Sequence, residues 1–178
     1  VYVVPEEIML SPQQKKMHRV VYNVFQQYTR SGLFNSMWLF SNEQISNMIP
    51  TITMDNMWDK VNEAIANAME NVIYHRGQKP FIGSHHTQRE ISRIMTIEYG
   101  NLENNEEKLY FSLDNITESC YINIISEKEM KENKDLLNTL KKKVIDDIEE
   151  KITSSFTVFK SEYDQSFYYA IHFTHFLQ

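Results

Sequence analysis

The sequence predicts an α+β fold: N-terminal helices, then a mainly antiparallel sheet in the order β-β-β-α-β-β, with a long helix packed on one face. Two observations predict it. Apolar residues recur at helical spacing in the first eighty positions, and they alternate with a period of two after Pro80. All four prolines lie within the first eighty residues, and no glycine follows Gly100. We therefore expect a helical region over 1–80 and a sheet-plus-helix region over 81–178, packed as one compact unit.

Three helices are predicted in the first region. The first begins at the capping box Ser11 to Gln14 and ends at Gly32, which suits a left-handed position after a helix. The second is short, begins after Ser41 and ends at Pro50. The third runs over about 55–74. Its predicted buried stripe is Trp58, Val61, Ile65, Ala68 or Met69, and Val72.

The second region alternates in the way that strands do. Strands are predicted at 91–99, 109–113 and 120–125, and then at 155–160 and 167–177. A helix separates the third strand from the fourth, because apolar residues there repeat every four positions. Its predicted buried face is Leu136, Leu140, Val144, Ile148 and Ile152.

The composition restricts the class of protein. With 42% hydrophobic and 24% charged residues, the chain is typical of globular domains. Its longest apolar runs are a few residues, against the roughly 18 or more of a membrane-spanning helix, and no signal-peptide pattern opens it. The single cysteine, Cys120, cannot form an internal disulfide. We therefore expect a protein of the cell interior or of a virion, outside the membrane and not secreted.

The negative charge is local. The net charge is −6, and residues 98–125 hold one lysine against six acidic residues. A chain without a basic stripe lacks the charge pattern that binding to a nucleic-acid backbone requires, so nucleic acid is not an expected partner. The acidic run Glu103 to Glu107 is predicted to be a solvated turn.

Histidines supply weak candidates for a metal site. His85 and His86 lie in a predicted loop, and Asp114 follows a predicted strand. Neighbouring histidines rarely bind one ion together, so no metal site is predicted, but a metal-dependent hydrolase that uses these three residues is one alternative function. The corresponding nuclease would use Asp114 with Glu129 and Lys131, which follow the next predicted strand. A helix-turn-helix DNA-binding regulator that uses residues 41–70 is another.

No catalytic residue or cofactor is predicted. Four scattered glycines cannot build a phosphate-binding loop, and Cys120 lies in an apolar strand, where thiols are normally inert. Aromatic residues make up 12% of the chain, and the last strand is aromatic on both faces. Such a strand either lies in an interface or is covered on both sides in a core. The candidate interface residues are Phe167, Tyr168, Tyr169, Phe173 and Phe176.

The order of elements over roughly residues 55–178 resembles that of phage tail-terminator and connector adaptors, which oligomerise as rings. The resemblance is one of topology and involves no matching residues. It implies a non-enzymatic structural protein of virion assembly that acts through protein–protein contacts. Other protein chains are the expected partners, in a homo-oligomer or a hetero-oligomer.

Overall fold

The computed structural model describes residues 1–102 and 106–178. Helices and strands are interspersed along the chain. The strands are β1 (Tyr2–Val4), β2 (Met37–Ser41), β3 (Ile82–Gly83), β4 (Ile94–Asn101), β5 (Glu106–Leu109), β6 (Glu118–Ser126), β7 (Thr153–Ser161) and β8 (Phe167–Thr174). The helices are α1 (Pro12–Arg30), α2 (Asn42–Met48), α3 (Met57–Arg76), α4 (Glu127–Glu132) and α5 (Leu136–Glu149), with a 3₁₀ turn at Glu7–Met9. Of these helices, none is both long enough and apolar enough to cross a membrane.

The strands form one mixed sheet in the order β1-β2-β4-β8-β6-β7-β3, with β5 paired to β4. After residue 90 the strands follow the predicted order, but two helices, α4 and α5, stand where one was predicted. The sheet is mixed rather than mainly antiparallel. Four strand pairs are antiparallel. Three pairs are parallel: β1 with β2, β2 with β4, and β6 with β7. The parallel pair β6 and β7 arises because α4 and α5 return the chain to the end of the sheet where β6 began. The other two arise because strands from the first region join the sheet.

Helices cover both faces of the sheet, whereas the sequence predicted helices on one face. We call the two sides the α3 face and the α5 face. On the α3 face, Ile45 of α2 and the buried stripe of α3 pack against Ile97 and Ile171. On the α5 face, Leu140 of α5 packs on β6 and β7, and Tyr22 of α1 packs near β2. The result is a three-layer arrangement in which most strands are buried on both sides.

Local sequence signals set the helix boundaries as predicted. The side chain of Ser11 accepts a hydrogen bond from the Gln14 amide, and the Gln14 side chain accepts one from the Ser11 amide. Gly32 adopts a φ of +81°, which suits a residue without a Cβ just after α1. The predicted buried faces of the helices differ from the structure at two positions. Trp58 of α3 and Ile148 of α5 are 55% and 61% exposed.

The second predicted strand is displaced. Residues 109–113 were expected to be extended, but β5 ends at Leu109. The chain then turns to pair elsewhere: the Tyr110 carbonyl accepts the Ser41 amide, and its ring packs edge-on against Phe40. The predicted turn at Glu103 to Glu107 lies partly outside the described residues, which exclude 103–105. Of that run, Glu107 lies in β5 with its side chain exposed.

Candidate functional site

The structure does not bring the three weak metal candidates together. His85 Nε2 lies 2.6 Å from the main-chain oxygen of Gln78, and His86 Nε2 lies 2.8 Å from Glu118 Oε2. The main-chain N–H of Asp114 donates to the C-terminal residue Gln178. In residues 1–102 and 106–178, no group of three or more His, Cys, Asp or Glu residues is placed to hold a metal ion.

The carboxylates of the nuclease alternative are far apart. Asp114 precedes β6, and Glu129 lies in α4, which follows β6. A nine-residue strand is about 30 Å long, so the two cannot share one ion. The helix-turn-helix alternative is not supported either. Helix α3 would be the second helix of that motif, and it packs its buried stripe against the sheet as a core helix.

The aromatic last strand is a core strand. β8 lies between β4 and β6, with side chains on both faces of the sheet. Tyr168, Tyr169 and Phe173 are buried, and Phe167 is half-buried. Only Phe176, which follows the strand, is exposed among the five candidate interface residues. The doubly covered core that the sequence left open is therefore the arrangement observed for β8.

A buried carboxylate at the start of strand β6 was not identified from the sequence. Glu118, the first residue of β6, is fully buried. Its Oε2 accepts hydrogen bonds from His86 and from the main-chain N–H of Arg89, and Arg89 Nε lies 3.9 Å from Oε1. The Arg89 guanidinium also donates to Thr153 Oγ1 on β7. These contacts hold the connection between α3 and β4 against β6 and β7, which is a structural role.

A second polar cluster lies on the α5 face. The hydroxyl of Tyr168 is 2.6 Å from Glu98 Oε1, and Lys143 Nζ of α5 is 2.6 Å from the same hydroxyl. Glu107 accepts a hydrogen bond from Lys143 and lies 3.1 Å from the Tyr168 hydroxyl. Burial and the neighbouring carboxylates raise the pKa of Tyr168, so it stays a hydrogen-bonding phenol.

Glu98 is charged within this cluster. Burial opposes its ionisation, but the hydrogen bond and charge of His172, the Tyr168 hydroxyl and the charge of Lys143 together outweigh that and lower the pKa of Glu98. Lys143 thus links α5 to the sheet through charges that compensate one another. The cluster holds layers together and contains no free nucleophile.

Three of these side chains line up in a way that resembles a hydrolase triad. Ser119 Oγ lies 2.9 Å from His172 Nδ1, and His172 Nε2 lies 3.4 Å from Glu98 Oε2. A catalytic serine must meet a substrate carbonyl, but Ser119 is fully buried in β6. The arrangement therefore satisfies buried polar groups in the sheet and provides no active site.

Helix α1 carries several exposed apolar side chains. Met17 and Val20 are 64% and 63% exposed, and Val24, Phe25 and Tyr28 are also exposed. Further exposed apolar side chains flank the helix at both ends: Ile8, Met9, Leu33 and Phe34. We call these nine side chains the α1 surface. Exposed apolar side chains concentrated on one element are typical of a surface that contacts another molecule.

The fold resembles that of FtsZ, TubZ and CetZ2. FtsZ of M. jannaschii, solved as an empty dimer, has a TM-score of 0.64 and 11% identity over 97% of this chain and 53% of its own. TubZ of Bacillus thuringiensis serovar israelensis, solved as a GTPγS-form protofilament, has a TM-score of 0.57 and 14% identity over 99% of this chain and 52% of its own. CetZ2 of Haloferax volcanii, solved as a GTPγS-bound protofilament, has a TM-score of 0.58 and 11% identity over 96% of this chain and 53% of its own.

These comparisons show the fold alone, and the chain spans about half the length of the proteins that it matches. No protein-family model matches it, and neither does any curated protein. The prediction of a virion adaptor is wrong, because the fold is that of FtsZ, TubZ and CetZ2 structures, among others that match. The resemblance to phage adaptors failed because it considered only the order of elements after residue 55. It therefore missed β1 and β2, which join the sheet in parallel.

Proposed function

We propose that this protein self-associates into filaments. The observation that carries the proposal is the fold: 96–99% of the chain superimposes on FtsZ, TubZ and CetZ2 structures. Those structures are described as a dimer for FtsZ, as protofilaments for TubZ and CetZ2, and as a four-stranded filament for TubZ. Repeated contacts between two different patches on one molecule produce such open-ended filaments.

The α1 surface supports this proposal. Helix α1 is 19 residues long, and its buried residues are Gln26 and Thr29, while most of its apolar side chains point outward. Leaving Met17 and Val20 in water costs free energy that burial in a contact would recover, at about 1.5–3 kcal/mol for each fully buried side chain. The helix therefore presents a surface whose burial favours association.

Sedimentation and negative-stain electron microscopy test the proposal on the full chain. We expect pelletable filaments above a critical concentration, measured without nucleotide and with GTPγS, the nucleotide named with the TubZ and CetZ2 protofilaments. The double variant Val20→Lys/Val24→Lys should raise that concentration about tenfold or more, because two lysines would have to be desolvated in the contact.

A matched control separates the contact from a general effect of added charge. Ile145 of α5 is 53% exposed and lies outside the α1 surface, so Ile145→Lys should leave the critical concentration unchanged. All three proteins should melt at similar temperatures, since the substituted positions are exposed. A monomer at every concentration, with and without nucleotide, would contradict the proposal.

A further inference from the structure

A groove of about 310 Å³ lies between the helices α4 and α5 and the sheet edge formed by β3 and β7. Most of its lining residues are apolar. On the sheet side they include Ile82 of β3 and Val158 of β7, which are paired in register. Among the lining residues, Leu140 of α5 is buried and Leu137 is partly exposed. The other apolar lining residues include Met130 and Leu136.

The charged side chains around the groove are mostly lysines. Lys131, Lys134 and Lys160 line it together with one acid, Glu127. Lys131 Nζ lies 3.1 Å from Glu127 Oε2, so these two charges compensate each other. Lys134 and Lys160 contact no carboxylate in the part of the chain that the structure describes. Among the described residues, these two ammonium groups at the groove therefore have no ion-pair partner.

The position of Lys160 is fixed by an aromatic ring. Its Nζ lies 4.1 Å from the ring centroid of Phe81, which also lines the groove. A cation over a ring face is held by the ring quadrupole, and this limits the freedom of the long side chain. The groove thus combines an apolar interior with a positioned positive charge.

We propose that this groove binds an amphipathic organic anion: a hydrocarbon body carrying a single carboxylate or similar head group. The volume is at the lower end of the roughly 300–1,000 Å³ of small-molecule sites, and an apolar lining with a few polar groups is typical of them. The hydrocarbon body packs between Ile82 and Leu137. The anionic head pairs with Lys134 and Lys160.

Decanoate is the probe, compared with decanol and with decyltrimethylammonium, which have the same chain but no charge or the opposite charge. Isothermal titration calorimetry should show saturable binding of one decanoate and weaker binding of the other two. Methyl NMR spectra should show decanoate-dependent shifts at Ile82, Leu137 and Leu140, and none at Val20 or Val24 on the α1 surface. This readout separates the groove from the other apolar surface.

The double variant Lys134→Gln/Lys160→Gln should bind decanoate about tenfold more weakly, as expected for the loss of two partly solvated ion pairs. Lys142, an exposed residue of α5 that does not line the groove, supplies the control, and Lys142→Gln should bind as the wild type does. The proposal would be overturned if the three amphiphiles bound equally well. It would also be overturned if Lys142→Gln weakened decanoate binding as much as Lys134→Gln/Lys160→Gln does.

A free amphiphile and a lipid surface would offer the same chemistry, so vesicle flotation distinguishes them. The wild type is expected to stay unbound with vesicles of phosphatidylglycerol, because the hydrocarbon body must leave the bilayer to reach a groove lined by the buried Leu140. Flotation that the double variant abolishes would overturn the assignment to a free ligand.

Discussion

Of the four glycines, Gly100 of β4 would place a Cβ closest to another atom. A Cβ built there would overlap the ring of Tyr168. That ring cannot move aside easily, since it is buried and its hydroxyl is bound by Glu98 and Lys143. We therefore expect Gly100→Ala to lower the free energy of unfolding by about 1–3 kcal/mol, as overpacking does.

Gly77 supplies the control for this change. It follows α3, its φ is −84°, and a Cβ there would lie 3.4 Å from the nearest atom, the Tyr74 carbonyl oxygen. Gly77→Ala should change stability by less than about 0.5 kcal/mol. Urea unfolding of the two variants beside the wild type measures both effects. Equal stabilities for the two variants would show that Tyr168 yields.

Single residues also show what sequence reasoning could not reach at the polar sites. His86 drew notice as one of a pair of histidines, but its partner Glu118 lies 32 positions away and is brought close only by the fold. The available signal was an acid at the start of a strand that is apolar on both faces. Buried acids of this kind are rare unless paired, so Glu118 could have been expected to have a partner, although not which one.

At the scale of elements, α5 shows which part of a predicted stripe packs. Leu140 is 5% exposed and contacts the buried cluster of Ile125 and Val158, whereas Ile148 is exposed. Leu140→Ala should therefore lower the free energy of unfolding by about 2–5 kcal/mol, because it leaves a cavity. Ile148→Ala should change it by less than about 0.5 kcal/mol. Thermal or urea unfolding measures both changes. A larger loss of stability for Ile148→Ala than for Leu140→Ala would show that Ile148, and not Leu140, packs on the sheet.

Elements differ in how far the sequence could predict them. The capped helix starts at Ser11, Ser41 and Ser126 follow from local chemistry, and all three serine side chains accept the expected amide. Strands β1 and β2 were hard to predict because they are short and gain their stability from parallel partners elsewhere in the chain. For β8, the aromatic pattern was correctly read as a strand, but periodicity cannot distinguish a central strand from an interface strand.

At the scale of the whole molecule, the layers are unequally covered. The α3 face is closed by two helices with a large buried cluster, while α1 on the other face leaves most of its apolar side chains outside. The resemblance to FtsZ, TubZ and CetZ2 covers nearly all of this chain but about half of those proteins. Under the proposed function, other copies of this chain bury the α1 surface.

The net charge predicts how such association should depend on salt. The chain carries −6 and has a pI near 5.5, so copies repel one another at pH 7. Salt shortens the reach of that repulsion, with a Debye length of about 10 Å at 0.1 M, and it does not weaken an apolar contact through the α1 surface. We therefore expect the pelleted fraction to rise as sodium chloride increases from about 0.05 M to about 0.3 M.

The double variant Val20→Lys/Val24→Lys serves as the reference for this measurement. Two added lysines change the net charge from −6 to −4, which reduces the repulsion, yet they disrupt the apolar contact. If the α1 surface drives association, this variant should pellet poorly at both salt concentrations despite its lower charge. A pelleted fraction of the wild type that falls with salt would instead show that pairing of opposite charges holds the copies together, because salt weakens exposed ion pairs.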